Sequence, residues 1–270
     1  MNNNFVKNLS RNLRGGYTIW YRDIVRFRRD RVRALSSLAM PVVYLFTFGS
    51  GLAPAMAEMG GGNVDFKQFM FPGVLTMTIL FTSVFSAVSI VWDREFGFLK
   101  EVMVAPVSRI AVALGKVAGG TTIALLQGII ILFLAPILNI SLSIDQLIVL
   151  ICMMMLLALM MTSLGILIAA RQKSMEGFHM LINFVLLPMF FLSGAFFPLR
   201  GVPAWMYFLS NIDPVTYGVD PLRQISLSGL VPAEFLHTIS IRPLIVNVYM
   251  MIGFTVIFLI PAVWLFGKQK

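Results

Sequence analysis

Few residues in this chain have the types and spacing that chemistry needs. One cysteine, Cys152, and two histidines, His179 and His237, cannot build a disulfide framework or a multi-cysteine metal site within one chain. Cys152 lies in an apolar run and reads as a lipid-buried small hydrophobe. An intramembrane serine protease needs a serine and a histidine facing one another inside the membrane, and the final apolar run holds no histidine. Gly115-Lys116 ends like a phosphate loop, but the upstream glycine that such a loop demands is Ile110. Leu227-Ser228-Gly229 begins like an ATPase signature, yet Leu230 replaces its second glycine. Asp213, Asp220 and Glu234 are too scattered for the acidic cluster of a membrane transferase. The expectation is no catalytic residue, no metal and no cofactor in this chain. Anything moved uphill must draw its energy from another polypeptide.

The elements that carry these residues are apolar. Of 270 residues, 58% are hydrophobic and 12% charged, against roughly 25% charged in a soluble domain. A bilayer span needs about 20 apolar residues, and six such runs lie near 35–57, 68–92, 117–144, 146–170, 178–199 and 244–266. They divide the chain into a 1–34 segment and a six-span region, 35–270, and imply an all-α integral membrane protein. The six runs contain no Asp, Glu, Lys or Arg, which argues against a proton relay or a tight small-ion site.

The net charge of +9 points to a membrane surface rather than nucleic acid once its distribution is read. Seventeen of the 21 Lys and Arg fall in the N-terminal segment, the second and fourth connections and the tail. By the positive-inside rule both termini are cytoplasmic. The arginine-studded first 33 residues have no apolar core of a cleavable signal, so the first span is expected to direct insertion. Phe5, Leu9, Leu13, Tyr17, Trp20, Ile24 and Phe27 step by three or four, as on one helix face. Arg22, Arg26, Arg29 and Arg33 repeat similarly. An amphipathic helix along the inner leaflet explains both rows, with a break expected at Gly15-Gly16. The alternative is that the arginines serve only as topology signals.

The connection between spans two and three, 93–116, is where an energy-supplying partner would dock. Acids in its first turn suit a helix over 93–104, Pro106 would stop it, and Phe98, Leu99 and Val102 give it a small apolar face. Such a face can seat in a partner's groove or skim the lipid.

Arg94-Glu95-Phe96-Gly97-Phe98-Leu99 followed by Val104-Ala105-Pro106-Val107-Ser108-Arg109 resembles the Arg-Glu-x-Gly-Thr-Leu-Glu...Pro-Val-Ser-Arg pattern of ABC type-2 permeases, the membrane subunits of ATP-binding-cassette exporters. Leu192-Ser193-Gly194-Ala195-Phe196-Phe197-Pro198 and Asp213-Pro214-Val215-Thr216-Tyr217, with Arg223 beyond, resemble that family's Ser-Gly-x-x-Phe-Pro and Asn-Pro-x-Thr-Tyr...Arg signatures. Phe98 and Lys100 stand where the family favours Thr and Glu, and Asp213 where it favours Asn. The resemblance implies two permease copies, or this chain with a similar one, bound to two ATPase subunits that carry the ATP and Mg. It implies ATPase coupling at Arg94, Glu95, Gly97, Leu99, Glu101, Val102 and Pro106. An outer gate falls at Ser193, Gly194, Pro198, Pro214, Tyr217, Asp220 and Arg223. It also implies outward movement of amphiphilic drugs, lipids or lipid-linked glycans across a bacterial or archaeal inner membrane. A self-contained channel or secondary carrier is the competing class, and the docking helix separates the two.

Pro188, Ser193-Gly194 and Pro198 weaken the fifth span. A broken helix with a re-entrant outer segment over 192–210 is expected, with Trp205, Tyr207 and Phe208 at the outer interface. The alternative is a straight span ending near Leu199. If the segment is buried, Arg223 should pair with Asp213 or Asp220, because a lone buried guanidinium is costly. Tyr44, Phe48, Phe81, Phe85, Phe190 and Phe191 are candidates for the transport path, although the same rings could simply pack against lipid.

Overall fold

The computed structural model describes residues 2–51, 66–96, 107–231, 236 and 239–268. Ten α-helices and a short 3-10 turn cover most of them, and no named strand occurs among the described residues. Six stretches are long and apolar enough to cross a membrane: Ala34–Gly51, Phe66–Glu95, Arg109–Leu138, Ile144–Ala169, Met175–Leu192 and Leu244–Gly267. They are formed by α2 (Arg31–Gly51), which starts a few residues earlier, and by α3 (Phe66–Ser86), α4 (Val88–Glu95), α5 (Arg109–Leu132), α6 (Ile144–Ala169), α7 (Met175–Leu192) and α10 (Leu244–Gly267). Before them runs α1 (Asn2–Arg29), and between α7 and α10 lie α8 (Ala204–Ile212) and α9 (Thr216–Leu227).

Helix starts follow local chemistry. Ser108, Ser143 and Ser174 cap α5, α6 and α7 by accepting from the amides of Ala111, Gln146 and Gly177, satisfying donors that a helix N-terminus leaves orphaned. The Ser108 cap starts α5 well before 117, where charge alone would begin the span. Lys116 therefore lies two turns inside the helix, 5% exposed.

The central helix is α3. Phe71, Val74, Leu75, Ile79 and Leu80 on it are fully buried, and it packs against α2, α5, α6 and α9. By contrast α7 lies at the edge, with Met180, Phe184, Leu187 and Phe191 exposed. Cys152 is exposed on α6. In a bilayer such apolar faces meet lipid or a second protein rather than water.

The break expected in α1 is absent, and the one expected in the fifth span falls after Leu192 rather than at Pro188. α1 continues through Gly15 and Gly16 as one helix, because these glycines permit a close crossing with α5. A Cβ at Gly115 would stand 2.6 Å from the Gly16 carbonyl oxygen, and one at Gly15 would stand 2.5 Å from Val107 Cγ1. Trp20 turns toward α5 and donates its indole N–H to Thr122 Oγ1 at 3.1 Å. Leu13, Tyr17 and Tyr21 remain exposed. α7 likewise runs through Pro188 and stops at Leu192, short of Leu199. Gly194 then takes a φ of +76°, a left-handed conformation that suits glycine. The chain returns as α8 and then α9, which is buried along nearly its whole length among α3, α6 and α10.

Candidate functional site

The second membrane-crossing stretch ends with three charged residues that each hold a different neighbour. Asp93, 5% exposed, accepts from Arg22 Nη2 of α1 at 3.0 Å and lies 3.5 Å from Lys116 Nζ of α5. Lys116 also reaches Asp23 Oδ1 at 3.2 Å and Ser89 Oγ at 2.8 Å. A buried acid, a half-buried acid and two cations thus neutralise one another, a condition for keeping charge out of water. Arg94 donates to the carbonyls of Ala169 and Ala170, each at 3.3 Å, and to that of Gln172. These carbonyls lie at the C-terminal end of α6, where four acceptors lack helical partners. Glu95 Oε2 accepts the Met175 amide at 2.9 Å, at the electropositive start of α7. Gly97, Leu99, Glu101, Val102 and Pro106 lie outside the described residues, as does the helix expected there beyond residue 96.

Sequence reasoning missed the Asp23–Lys116 half of this cluster. Charge counting treats every Lys and Arg near a span as a solvated flank. The available signal was Asp23, an acid set among nine basic residues, together with a lysine placed seven positions into a capped apolar helix.

At the far end of the bundle, all seven gate candidates belong to one assembly or border it. Ser193 donates to the Phe190 carbonyl at 2.6 Å, closing the end of α7. Arg223, 2% exposed, donates to the carbonyls of Gly194 at 2.7 Å and Ala195 at 3.1 Å, and its guanidinium lies 4.3 Å from the Phe69 ring centroid. Asp220 accepts from the amides of Ile241 and Arg242, both at 3.1 Å, from Gln224 Nε2 at 3.1 Å and from Asn247 Nδ2 at 2.7 Å. Tyr217 donates to the Asn211 carbonyl at 2.7 Å beneath the Arg242 guanidinium. Pro214 is buried at the α8–α9 corner and Pro198 half-buried in the turn after α7.

The expected Arg223–carboxylate pair does not form. Arg223 Nη2 is taken up by the carbonyls exposed by the turn at Gly194, and four donors already occupy Asp220. Asp213 accepts the Val215 amide at 2.9 Å. Burial pushes its carboxyl up to about 8 against the opposing pull of that amide, so it behaves as a neutral acid.

Between the two ends, the six path candidates join one chain of rings. Tyr44 stacks on Phe48 at 5.4 Å, Phe81 on Phe85 at 6.3 Å, and Phe81 meets Phe190 edge-on at 6.2 Å. Phe196, absent from the sequence-based set, links them. It contacts Tyr44 at 5.9 Å, Phe48 at 5.7 Å, Phe190 at 5.0 Å and Phe191 at 6.0 Å. His179 adds to the chain at 5.7 Å from Phe85. Phe190 is buried, whereas Phe48 and Phe191 remain exposed.

Comparison with known proteins adds a lineage to this geometry. The chain is 28% identical over 201 residues to the transport permease ycf38 of Cyanophora paradoxa, covering 74% of this chain and 69% of that one. It is 26% identical over 215 residues to the inner membrane transport permease YadH of Escherichia coli K12, covering 76% and 80%. Nodulation protein J of Neorhizobium galegae matches at 25% over 222 residues, covering 81% and 84%. The family model described as ABC-2 type transporter matches residues 16–227, which takes in the Asp93–Glu95 anchor, the aromatic chain and the α9 assembly. This multi-pass integral membrane protein belongs to the ABC-2 type transporter family, as a permease subunit rather than an ATPase.

Proposed function

We propose that the chain exports an amphiphilic or hydrophobic molecule, of the class of drugs, lipids or lipid-linked glycans. It works in the inner membrane of a bacterium or archaeon, with both termini in the cytoplasm. The observation that carries this reading is the segregation of charge. Seventeen of 21 basic residues fall in the segments at one end of the bundle, where Asp93, Arg94 and Glu95 lead into the 97–106 docking segment. That end therefore faces the cytoplasm and receives two ATP-binding-cassette subunits, which carry the ATP and Mg. Leu99 and Val102, with Gly97, Glu101 and Pro106, are the residues assigned to coupling with the ATPase.

The buried charges of the spans, Asp93 and Lys116, are engaged with one another and with Arg22 and Asp23, whereas a continuous aromatic surface runs from α2 across α3 to α7. Aromatic rings accept apolar guests of varied shape, and the exposed rings Phe48 and Phe191 leave this surface open toward a second permease copy. Around the outer end, the turn at Gly194 with α8 and α9 forms a re-entrant cap held shut by Arg223 and Asp220. α1 lies along the inner leaflet, its exposed Leu13, Tyr17 and Tyr21 among acyl chains and headgroups.

Inside-out vesicles test direction and energy source together. Permease and ATPase should accumulate a fluorescent amphiphile in the lumen only when Mg-ATP is supplied outside. Accumulation without ATP, or efflux from the lumen on adding it, would contradict the proposal.

A further inference from the structure

The last turns of α1 carry a row of cations that the Asp93 cluster only partly uses. Arg22, Val25, Arg26 and Arg29 stand at i, i+3, i+4 and i+7, one face of the helix, and with Asp30 they line a groove of about 530 Å³. Arg22 is half-buried and held by Asp93 at 3.0 Å and Asp23 at 3.7 Å. Arg26 sets its guanidinium 5.8 Å from the Trp92 ring centroid of α4. Among the described residues no acid forms an ion pair with Arg26 or Arg29. Like charges three or four apart on a helix repel. Helix dipoles do not offset them, because α2 starts at Arg31 and its positive end meets the negative end of α1. An anion bridging the two guanidinium groups removes that repulsion, and their N–H forks match phosphate oxygens in pairs.

The groove also lies at headgroup depth. The first crossing stretch begins at Ala34, just beyond Asp30, and the second ends at Glu95, one turn past Trp92. Trp92 is exposed and stacks at 5.1 Å with the exposed Phe96. Tyr17 and Tyr21, stacked at 6.2 Å and exposed, occupy the preceding turns of α1. Trp and Tyr collect where hydrocarbon meets water. A free phosphate touches only the arginines, whereas a lipid phosphate continues into glycerol and acyl chains that meet the rings as well. Basic pockets between helices on the cytoplasmic side suit anionic headgroups for this reason.

We propose that this groove binds the phosphodiester of one anionic lipid of the cytoplasmic leaflet, with Arg26 and Arg29 on the phosphate oxygens and Trp92 against the glycerol end of the acyl chains. Asp30, the acid in the lining, repels a second phosphate. Such a site depends on these two arginines, whereas the general attraction of a basic helix for an anionic surface depends on all of them alike. The choice of leaflet rests on the cytoplasmic placement proposed above.

For the test, the full chain, with any ATPase that accompanies it, is purified in detergent, stripped of lipid and offered phosphatidylglycerol, phosphatidylcholine with the same acyl chains, or inorganic phosphate. Native mass spectrometry counts what stays bound, and a thermal melt records protection. Phosphatidylglycerol should bind at one molecule per chain and raise the melting temperature; the other two should do neither. Arg26→Gln with Arg29→Gln should weaken that binding about ten-fold or more. Arg14→Gln with Arg28→Gln removes the same charge from exposed positions of α1 outside the groove and should change it less than about two-fold. If the groove pair fails to fold as glutamines, Arg26→Lys with Arg29→Lys keeps the charge but loses the planar fork, and should weaken binding about three-fold or more.

Equal losses from the two glutamine pairs, full binding in the groove variants, or equal protection by phosphatidylcholine or inorganic phosphate would overturn the proposal. These measurements need neither ATP nor transport, so their failure would leave the export reading standing. Labelling of a cysteine at Ser174 from outside intact cells would instead overturn the placement on which the choice of leaflet rests.

Discussion

Lys116 and Asp213 are the residues whose environments depart furthest from what their types suggest. Removing Lys116 leaves the buried Asp93 and the half-buried Asp23 with Arg22 as their counter-charge, and breaking a buried pair costs about 3 to 5 kcal/mol. Lys116→Ala should lower the melting temperature sharply in detergent, while Lys116→Ala with Asp93→Asn should recover part of the loss. An unchanged melt for the single variant would mean that the cluster is solvated. Asp213 binds its proton more tightly in the folded chain than in an unfolded one. Its contribution to stability is full below about pH 4 and is lost as pH rises through about 8. The parent should therefore melt lower at pH 9 than at pH 6. Asp213→Asn should flatten that dependence and be the more stable of the two at pH 9. Equal pH slopes for the two proteins would refute the buried neutral acid. Arg223 and Asp220 form no direct ion pair but stand one turn apart on a buried helix and feel each other's charge, so Arg223→Ala and Asp220→Ala should each destabilise with a coupling below about 3 kcal/mol. A larger coupling in a double-mutant cycle would restore the direct pair.

Among the elements, those defined by long periodicity were legible in the sequence and those defined by contact were not. Six apolar runs fix six helices because burial in lipid leaves the backbone no other way to satisfy its hydrogen bonds. Gly15-Gly16 and Pro188 read locally as breaks, but the outcome depended on neighbours that no local pattern records. The α1–α5 crossing makes the glycines useful, and α7 absorbs its proline within the helix. The residues expected at a gate and a path were singled out by motif and type, yet their packing partners were not legible there. Phe196 occupies the middle of the aromatic chain only because the turn after α7 folds back toward α2. The crossing itself is testable. Gly115→Leu would drive a side chain into the Gly16 backbone and should cost about 1 to 3 kcal/mol as overpacking. Protease sensitivity of α1 in nanodiscs should rise accordingly, and an unaltered digestion pattern would argue against the close approach.

At the scale of the whole molecule, the polar anchor at Asp93–Glu95 ties α1, α5, α6 and α7 together at one end of the bundle, the end at which docking is proposed. The basic asymmetry predicts which end that is. In a Cys152→Ser background, a cysteine at Gly61 should react with an impermeant thiol reagent outside intact cells, and one at Ser174 should not. Equal labelling would overturn the topology. The central claim, that an ATPase seated on the 97–106 segment powers this permease, is tested most directly by purifying the chain from its native membrane. The parent should bring an ATP-binding-cassette subunit in equal amount. Leu99→Ala with Val102→Ala should insert normally but lose ATPase binding or its hydrolytic coupling. A parent that purifies alone and moves solute in vesicles without ATP, or a double variant that keeps its partner and full substrate-stimulated hydrolysis, would contradict it.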